Sequence, residues 1–294
     1  NDLWWPGSME VTVFPRGKPA LERILLDPPD LLILEQRLPD TTGKQILELI
    51  KGENVYRQVP VILCLDEGDM EYPWDWTDVE ADDFLLRPYS PVEVRDRVNL
   101  TLCRALRSLD ANPLTRLPGN TTIIQRLQGL IDRKADFGLG YCDLDYFKSF
   151  NDKYGFSRGD EVLMMAARVV VNTVKRYKPL GEVRPFVGHV GGDDFVFMVH
   201  ASQAEDCCRQ IIKSFDDIVP SFYDADDRRR GYIHSVDRQG REQNFPLMAV
   251  SIAVVFNTNG KLTHYGEASS VAVGLKKKAK ENPKSSYVLD QRAA

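Results

Sequence analysis

Two short acidic segments hold the residues best suited to chemistry. His189-Val190-Gly191-Gly192-Asp193-Asp194-Phe195 sets two glycines and two adjacent carboxylates at a tight turn inside an apolar run, and Asp143-Leu144-Asp145 closes another apolar run upstream. Hard carboxylate oxygens at a hairpin and at a neighbouring strand end are the donors a divalent cation prefers, and a cation so held neutralises a nucleotide phosphate. Taken alone, Asp193 and Asp194 are equally ordinary turn residues, because Gly and Asp favour turns. The run Lys276-Lys277-Lys278 with Lys280 reads in isolation as a solvated helix face or a favourable charge near a helix C-terminus. His189 suits either a pH-sensitive contact or a locally hydrogen-bonded structural role. No nucleophile triad or zinc cluster competes with the carboxylates.

These residues need elements to position them. Ile123, Leu127, Leu130 and Ile131 recur at helical spacing, residues 137–142 read as a central strand with Asp143 at or beyond its end, and 160–177 read as a long helix. Strands over 186–190 and 195–199 flank the Gly191 to Asp194 turn, followed by a helix over 204–215, a buried strand over 247–256, a helix over 267–281 and an edge strand over 287–289. A mixed sheet with helices on one face satisfies this order. Residues 224–244 interrupt it with polar side chains and read as a solvent-exposed insertion, since adjacent acids offset Arg228, Arg229 and Arg230.

The earlier part of the chain alternates strand and helix. Strands are expected at 11–14, 31–34 and 59–64, and helices at 20–26 and 45–51, a pattern of continuous apolar runs that suits a parallel sheet covered by helices. Pro91 opens a further helix in which Val94, Val98, Leu102, Ala105 or Leu106, and Leu109 form a stripe able to pack within one protomer or between two. Pro113 and the residues before it place a junction near 110–113, giving domains at 1–110 and 111–294.

The 294 residues exceed the usual single-domain size, and 43% hydrophobic with 28% charged residues describes a folded, soluble protein. A formal charge of -5 gives no support to a nucleic-acid platform. Cys64, Cys103, Cys142, Cys207 and Cys208 follow neither metal-ligand nor secreted-disulfide spacing, which favours a reducing cytoplasm. No apolar run reaches membrane-spanning length. Asn1-Asp2-Leu3-Trp4-Trp5 is unlike a signal peptide, and without an initiator Met it suggests a natural chain that begins earlier.

The first domain resembles a bacterial response-regulator receiver. The resemblance rests on Pro29 to Glu35, on Leu38-Pro39-Asp40 with Gly43, on the strand at 59–64, and on Ala81-Asp82-Asp83-Phe84-Leu85-Leu86-Arg87-Pro88. It puts Glu35 at the phosphoacceptor aspartate, Leu65 at the hydroxyl position and Arg87 at the lysine, and finds no match for the first strand with its acidic pair. Leu65 has no donor for a phosphoryl oxygen, so the resemblance implies a packing or dimerisation module, or a switch fixed by a Glu35–Arg87 pair, answering to an upstream signalling partner.

Residues 112–290 resemble the GGDEF nucleotidyl cyclases. Asn112 to Pro118, Asp143 to Gly155, Gly159 to Leu163, Gly191 to Phe195, Ser251 to Val254, and Ala279-Lys280 with Lys284 carry the likeness in common order. It implies an α+β domain that condenses two GTP into cyclic di-GMP and pyrophosphate with Mg²⁺ or Mn²⁺, as a homodimer that opposes two half-sites. It assigns Asp143, the Leu144 carbonyl and Asp193 to the metal, and Asp143, Asp193 and Asp194 to catalysis. Asn151 and Asp160 fall at guanine-reading positions, although each also suits a helix cap. The backbone N–H groups of Phe147 and Lys148, and the side chains of Lys280 and Lys284, fall at phosphate contacts. Asp194 stands where the family has Glu, shortening the reach by about 1.5 Å, and Lys284 where it commonly has Arg. Glu182-Val183-Arg184-Pro185 departs from the inhibitory Arg-x-x-Asp motif, while Gly119, Asn120 and His189 replace other usual residues. The alternative these departures favour is a catalytically impaired GTP-binding regulator or an interaction protein.

Overall fold

The computed structural model describes residues 9–71, 74–236 and 242–291, so the opening segment around Trp4 and part of the 224–244 insertion, 237–241, lie outside the described residues. The chain divides into two units, Asn1–Leu109 and Asp110–Ala294.

In the first unit, α1 (Gly17–Leu26), β1 (Leu32–Glu35), α2 (Gly43–Gly52), β2 (Val61–Leu65), α3 (Trp76–Val79), β3 (Asp83–Leu86) and α4 (Pro91–Asp110) follow in order. The strands pair in parallel in the order β1-β2-β3. Every side chain of the central β2 is buried, which explains its continuous apolar run. Thr42 and Gln45 close a reciprocal capping box at the start of α2.

Residues 11–14 form no strand, contrary to the expectation from their composition. Val11 and Val13 are exposed, and β-branched side chains do not hold a strand without a packed neighbour. The apolar stripe of α4 is spent only over its first half. Val94 and Val98 pack against Ile62, Cys64 and Leu85, whereas Leu106 and Leu109 are exposed.

In the second unit, α5 (Asn120–Asp132), β4 (Phe137–Asp145), α6 (Phe147–Tyr154), α7 (Phe156–Val174), β5 (Phe186–Gly191), β6 (Asp194–His200), α8 (Ala201–Ile218), α9 (Ala225–Arg230), β7 (Tyr232–Val236), β8 (Glu242–Pro246), β9 (Ala249–Asn257), α10 (Tyr265–Ala279) and β10 (Ser286–Leu289) follow. The main sheet runs β10-β9-β4-β6-β5, and β7 and β8 form a separate hairpin. Helices cover both faces of the main sheet, not one. Cys142, Leu144, Phe195 and Phe197 face α7 and α8, while Leu139, Val196 and Met198 face α5 and α10. The two-residue period of a strand sends alternate side chains to the two cores.

Gly140 makes this arrangement possible at the centre of β4. A Cβ there would lie 2.1 Å from the ring of fully buried Phe197. Gly140→Ala is therefore expected to cost about 2 kcal/mol by overpacking, read as a lower urea midpoint with an unchanged slope.

The insertion is largely solvent-exposed, as expected, but one of its charges is not. Asp227 is 2% exposed and takes contacts from Lys153, Tyr154 and Arg230, fastening α9 to α6. Arg158 adds an ion pair to Asp224 at 3.6 Å and stacks over Tyr154. Burial pushes the Asp227 carboxyl up, but its three partners outweigh burial and bring its pKa down to about 2. A folded pKa below the unfolded value stabilises the fold above about pH 4, and that share is lost as pH falls through the folded pKa. Acid titration should thus remove on the order of 2 kcal/mol between about pH 4 and 2, a loss missing from Asp227→Asn in equilibrium unfolding.

Candidate functional site

Register places the acidic residues. Asp143 lies on the central strand β4, directly opposite Asp194 on β6 and Ser251 on β9. Strand alternation puts Asp145 on the same face as Asp143, on the side covered by α10. Three carboxylates thus share one sheet surface, and directly opposed like charges destabilise a sheet unless they are neutralised.

Lys276 on α10 and Lys280 at its C-cap neutralise them. Lys280 Nζ is 2.6 Å from Asp143 Oδ1 and 3.5 Å from Asp145 Oδ1, and Lys276 Nζ is 2.7 Å from Asp143 Oδ2 and 2.5 Å from Asp194 Oδ1. Ser251 Oγ donates to Asp145 at 2.5 Å. Burial pushes the Asp143 carboxyl up, but its two lysines more than compensate and hold it below the usual carboxylate range. Asp194 shares only Lys276 and faces Asp143, so burial keeps its pKa raised. Burial and the nearby Asp143 charge likewise raise Asp193, and burial raises Asp145.

The hairpin that carries Asp193 and Asp194 depends on backbone freedom and on one histidine. Gly191 and Gly192 have φ of 147° and 58°, in the region that penalises a Cβ, and the β5–β6 register shifts between His189 and Gly191. His189 is 3% exposed, with its ring tilted 30° against that of Phe195 at a centroid distance of 4.3 Å. Its Nε2 lies 3.0 Å from the Gly192 carbonyl, which only accepts, so Nε2–H donates and Nδ1 receives the Thr115 hydroxyl at 2.9 Å. Burial lowers its pKa, consistent with this neutral tautomer.

α6 starts immediately after β4. Tyr146, at its N-cap, has φ of 65°, and no side chain caps the helix, so the N–H groups of Phe147 and Lys148 belong to an open, electropositive terminus. Asn151 lies inside α6, not at a cap, and its buried Oδ1 has no hydrogen-bond partner. Gly159 on α7 accommodates that amide so closely that a Cβ would meet Oδ1 at 1.9 Å. α7 begins at Phe156, which puts Asp160 within the helix instead of at its cap and leaves it exposed. Lys284 is exposed on the turn after α10, with its backbone N–H bonded to Asn282 Oδ1 at 3.0 Å. Leu144 is buried in β4.

The structure therefore brings Asp143, Asp194 and Lys280 together and sets Asp193 on the adjoining turn. Lys276 joins them, though its run reads from composition as a solvated face. The signal for it is its four-residue spacing from Lys280, which puts both on one side of a helix. The oxygen-only carboxylates of Asp143 and Asp194, which already attract two ammonium groups, are donors of the kind a hard divalent cation prefers. Among the described residues no group of three or more His, Cys, Asp or Glu side chains is placed to hold a metal ion, so the protein side chains offer the pair and not a complete ligand set.

In the first unit, Glu35 ends β1 and ion-pairs with Arg87, while the Tyr89 hydroxyl lies 3.5 Å from the same Glu35 oxygen. Leu65, 1% exposed, is part of the core. Cys64, Cys142, Cys207 and Cys208 are buried free thiols, and Cys103 is an exposed one. Among the described residues no helix is long and apolar enough to cross a membrane.

Residues 6–99 match the response regulator receiver domain, and residues 110–227 match the family described as diguanylate cyclase, GGDEF domain. The response regulator PleD of Caulobacter vibrioides is 25% identical over 199 residues, which cover 62% of this chain and 42% of PleD, so the chain spans less than half of that relative. The phosphate regulon regulatory protein PhoB of Klebsiella pneumoniae is 33% identical over 76 residues, covering 26% of this chain and 33% of PhoB. A crystal structure of the coiled coil and GGDEF domain of DgcB from Caulobacter crescentus, in complex with c-di-GMP, aligns with a TM-score of 0.46 at 18% identity, over 68% of this chain and 94% of that one. On the two sequence matches, the chain carries a response regulator receiver domain followed by a GGDEF domain.

Proposed function

We propose that the GGDEF domain condenses two GTP molecules into cyclic di-GMP and pyrophosphate in a divalent-metal-dependent reaction, in the cytoplasm. The observation that carries this reading is the cross-strand pair Asp143 and Asp194 beside the open N-terminus of α6. A bound Mg²⁺, or Mn²⁺ in its place, would neutralise charge on the triphosphate as the 3'-oxygen attacks the alpha phosphorus. Asp143, Asp193 and the Leu144 carbonyl would hold that ion, and Asp194 adds the further carboxylate. The N–H groups of Phe147 and Lys148 bind the terminal phosphates, and Lys280 and Lys284 supply positive charge to them. Asn151 and Asp160 bind the guanine edge, Asn151 through the amide oxygen that has no partner within the protein. One site holds one nucleotide, so two protomers must oppose their sites to bring each 3'-oxygen to the other alpha phosphorus.

For the receiver domain, we infer that Glu35 and Arg87 form a fixed ionic pair in place of a phosphorylation switch. Leu65 presents no donor to a phosphoryl group, so input from an upstream partner would act on this domain by another route.

The test is the full-length protein incubated with GTP and Mg²⁺, with cyclic di-GMP and pyrophosphate quantified together. Product in the expected ratio supports the cyclase. Saturable GTP binding without turnover supports the GTP-binding regulator, which the hold of Lys276 on Asp194 favours, and absence of both leaves an interaction role. In the active case Asp194→Glu should raise the rate by about tenfold if the shortened reach is limiting, and an unchanged rate shows that Asp194 already attains its position.

A further inference from the structure

Lys276 occupies a position that the phosphate-binding assignments do not use. Its Nζ stands between the two carboxylates that β4 and β6 set opposite each other, 2.7 Å from Asp143 and 2.5 Å from Asp194. Its side chain is 22% exposed, whereas Lys277 and Lys278 on the same helix are exposed. Packing thus selects one lysine of the run, one turn before Lys280, and inserts it into the acidic pair. Without it, Asp143 and Asp194 would confront each other as like charges on neighbouring strands. The oxygens that hold its ammonium are also those available to a divalent ion. Two cations cannot both take the same lone pairs at full strength.

We propose that Lys276 is a resident counter-cation of the Asp143–Asp194 pair, which a divalent ion displaces when the site assembles, so that this lysine sets the metal concentration the protein requires. The inference rests on the reading of Asp143 as a metal-binding carboxylate. Competition is reciprocal: whatever free energy Lys276 contributes to neutralising the pair is subtracted from metal affinity, and bound metal releases the lysine to the same extent.

Mn²⁺ binding to the full chain, followed by electron paramagnetic resonance without nucleotide, tests this apart from turnover. Lys276→Met should bind Mn²⁺ about tenfold more tightly than the natural chain, the magnitude of one charge-assisted contact, while Lys276→Arg stays within about threefold. Equal affinities in Lys276→Met and the natural chain overturn the role of the lysine and leave the metal assignment standing. Absence of Mn²⁺ binding in both overturns the proposal together with the metal assignment. A measurement on the unsubstituted protein guards against a variant that does not fold. Saturating Mn²⁺ should increase acylation of the Lys276 amine, followed by peptide mass spectrometry, severalfold relative to exposed Lys213. Unchanged labelling of Lys276 on Mn²⁺ saturation also overturns the proposal.

Discussion

Asp143→Asn is expected to lower the rate of cyclic di-GMP formation by about 1,000-fold, because an ion that stabilises transition-state charge by several kcal/mol loses its central carboxylate. Asp143 is the residue on which the site converges. It lies on the central strand, faces Asp194 across the ladder, and receives Lys276 and Lys280 on different oxygens. Asn keeps the size and can still accept from either ammonium, but it carries no charge and offers one oxygen in place of two. The same change relieves repulsion from Asp194 while weakening two half-buried ion pairs, so the effects on folding oppose each other. Initial rates of product and pyrophosphate should therefore collapse while the thermal midpoint moves little. A rate within about tenfold of the natural protein would remove Asp143 from the centre of the chemistry.

The arrangement behind that prediction was partly legible before any coordinates. The β4 and β6 runs, the glycines of the hairpin and the helical periodicity of α5 announce their elements, because each is a local pattern reinforced by burial. Residues 11–14 have the composition of a strand without the packing partner that would make one. The two-faced cover of the sheet was not legible, since Cys142 and Leu139 are both simply apolar until register sends them to opposite cores. Polar contacts were hardest to read. Asp227 lies among charges that composition assigns to solvent, yet Lys153 and Tyr154, distant in sequence, bury it. The spacing of Lys276 from Lys280 puts the two on one side of a helix, but only the helix rotation and the position of the acidic pair turn that side toward Asp143 and Asp194. Such residues depend on long-range registry, which a local pattern does not contain.

Gly159→Ala is expected to raise the GTP KM about 100-fold while leaving kcat nearly unchanged, the signature of lost uniform binding. The added Cβ would stand 1.9 Å from the Asn151 Oδ1, so the amide must rotate away. That oxygen is buried without a partner in the protein, which is where a donor on a guanine edge would satisfy it. Leaving such a buried group unmatched costs about 1–3 kcal/mol, and the upper part of that range corresponds to the expected change. Stability should move in the other direction. The obstructing atom is the free end of a side chain, and Ala is preferred to Gly by about 1 kcal/mol within a helix such as α7. A protein that melts no lower than the natural chain yet binds GTP far more weakly separates ligand recognition from folding. Asn151→Ala should give a comparable KM, and the double variant should add little, because both changes remove the same contact. A KM within about threefold of the natural value in Gly159→Ala would mean that the amide at Asn151 is not what holds the base.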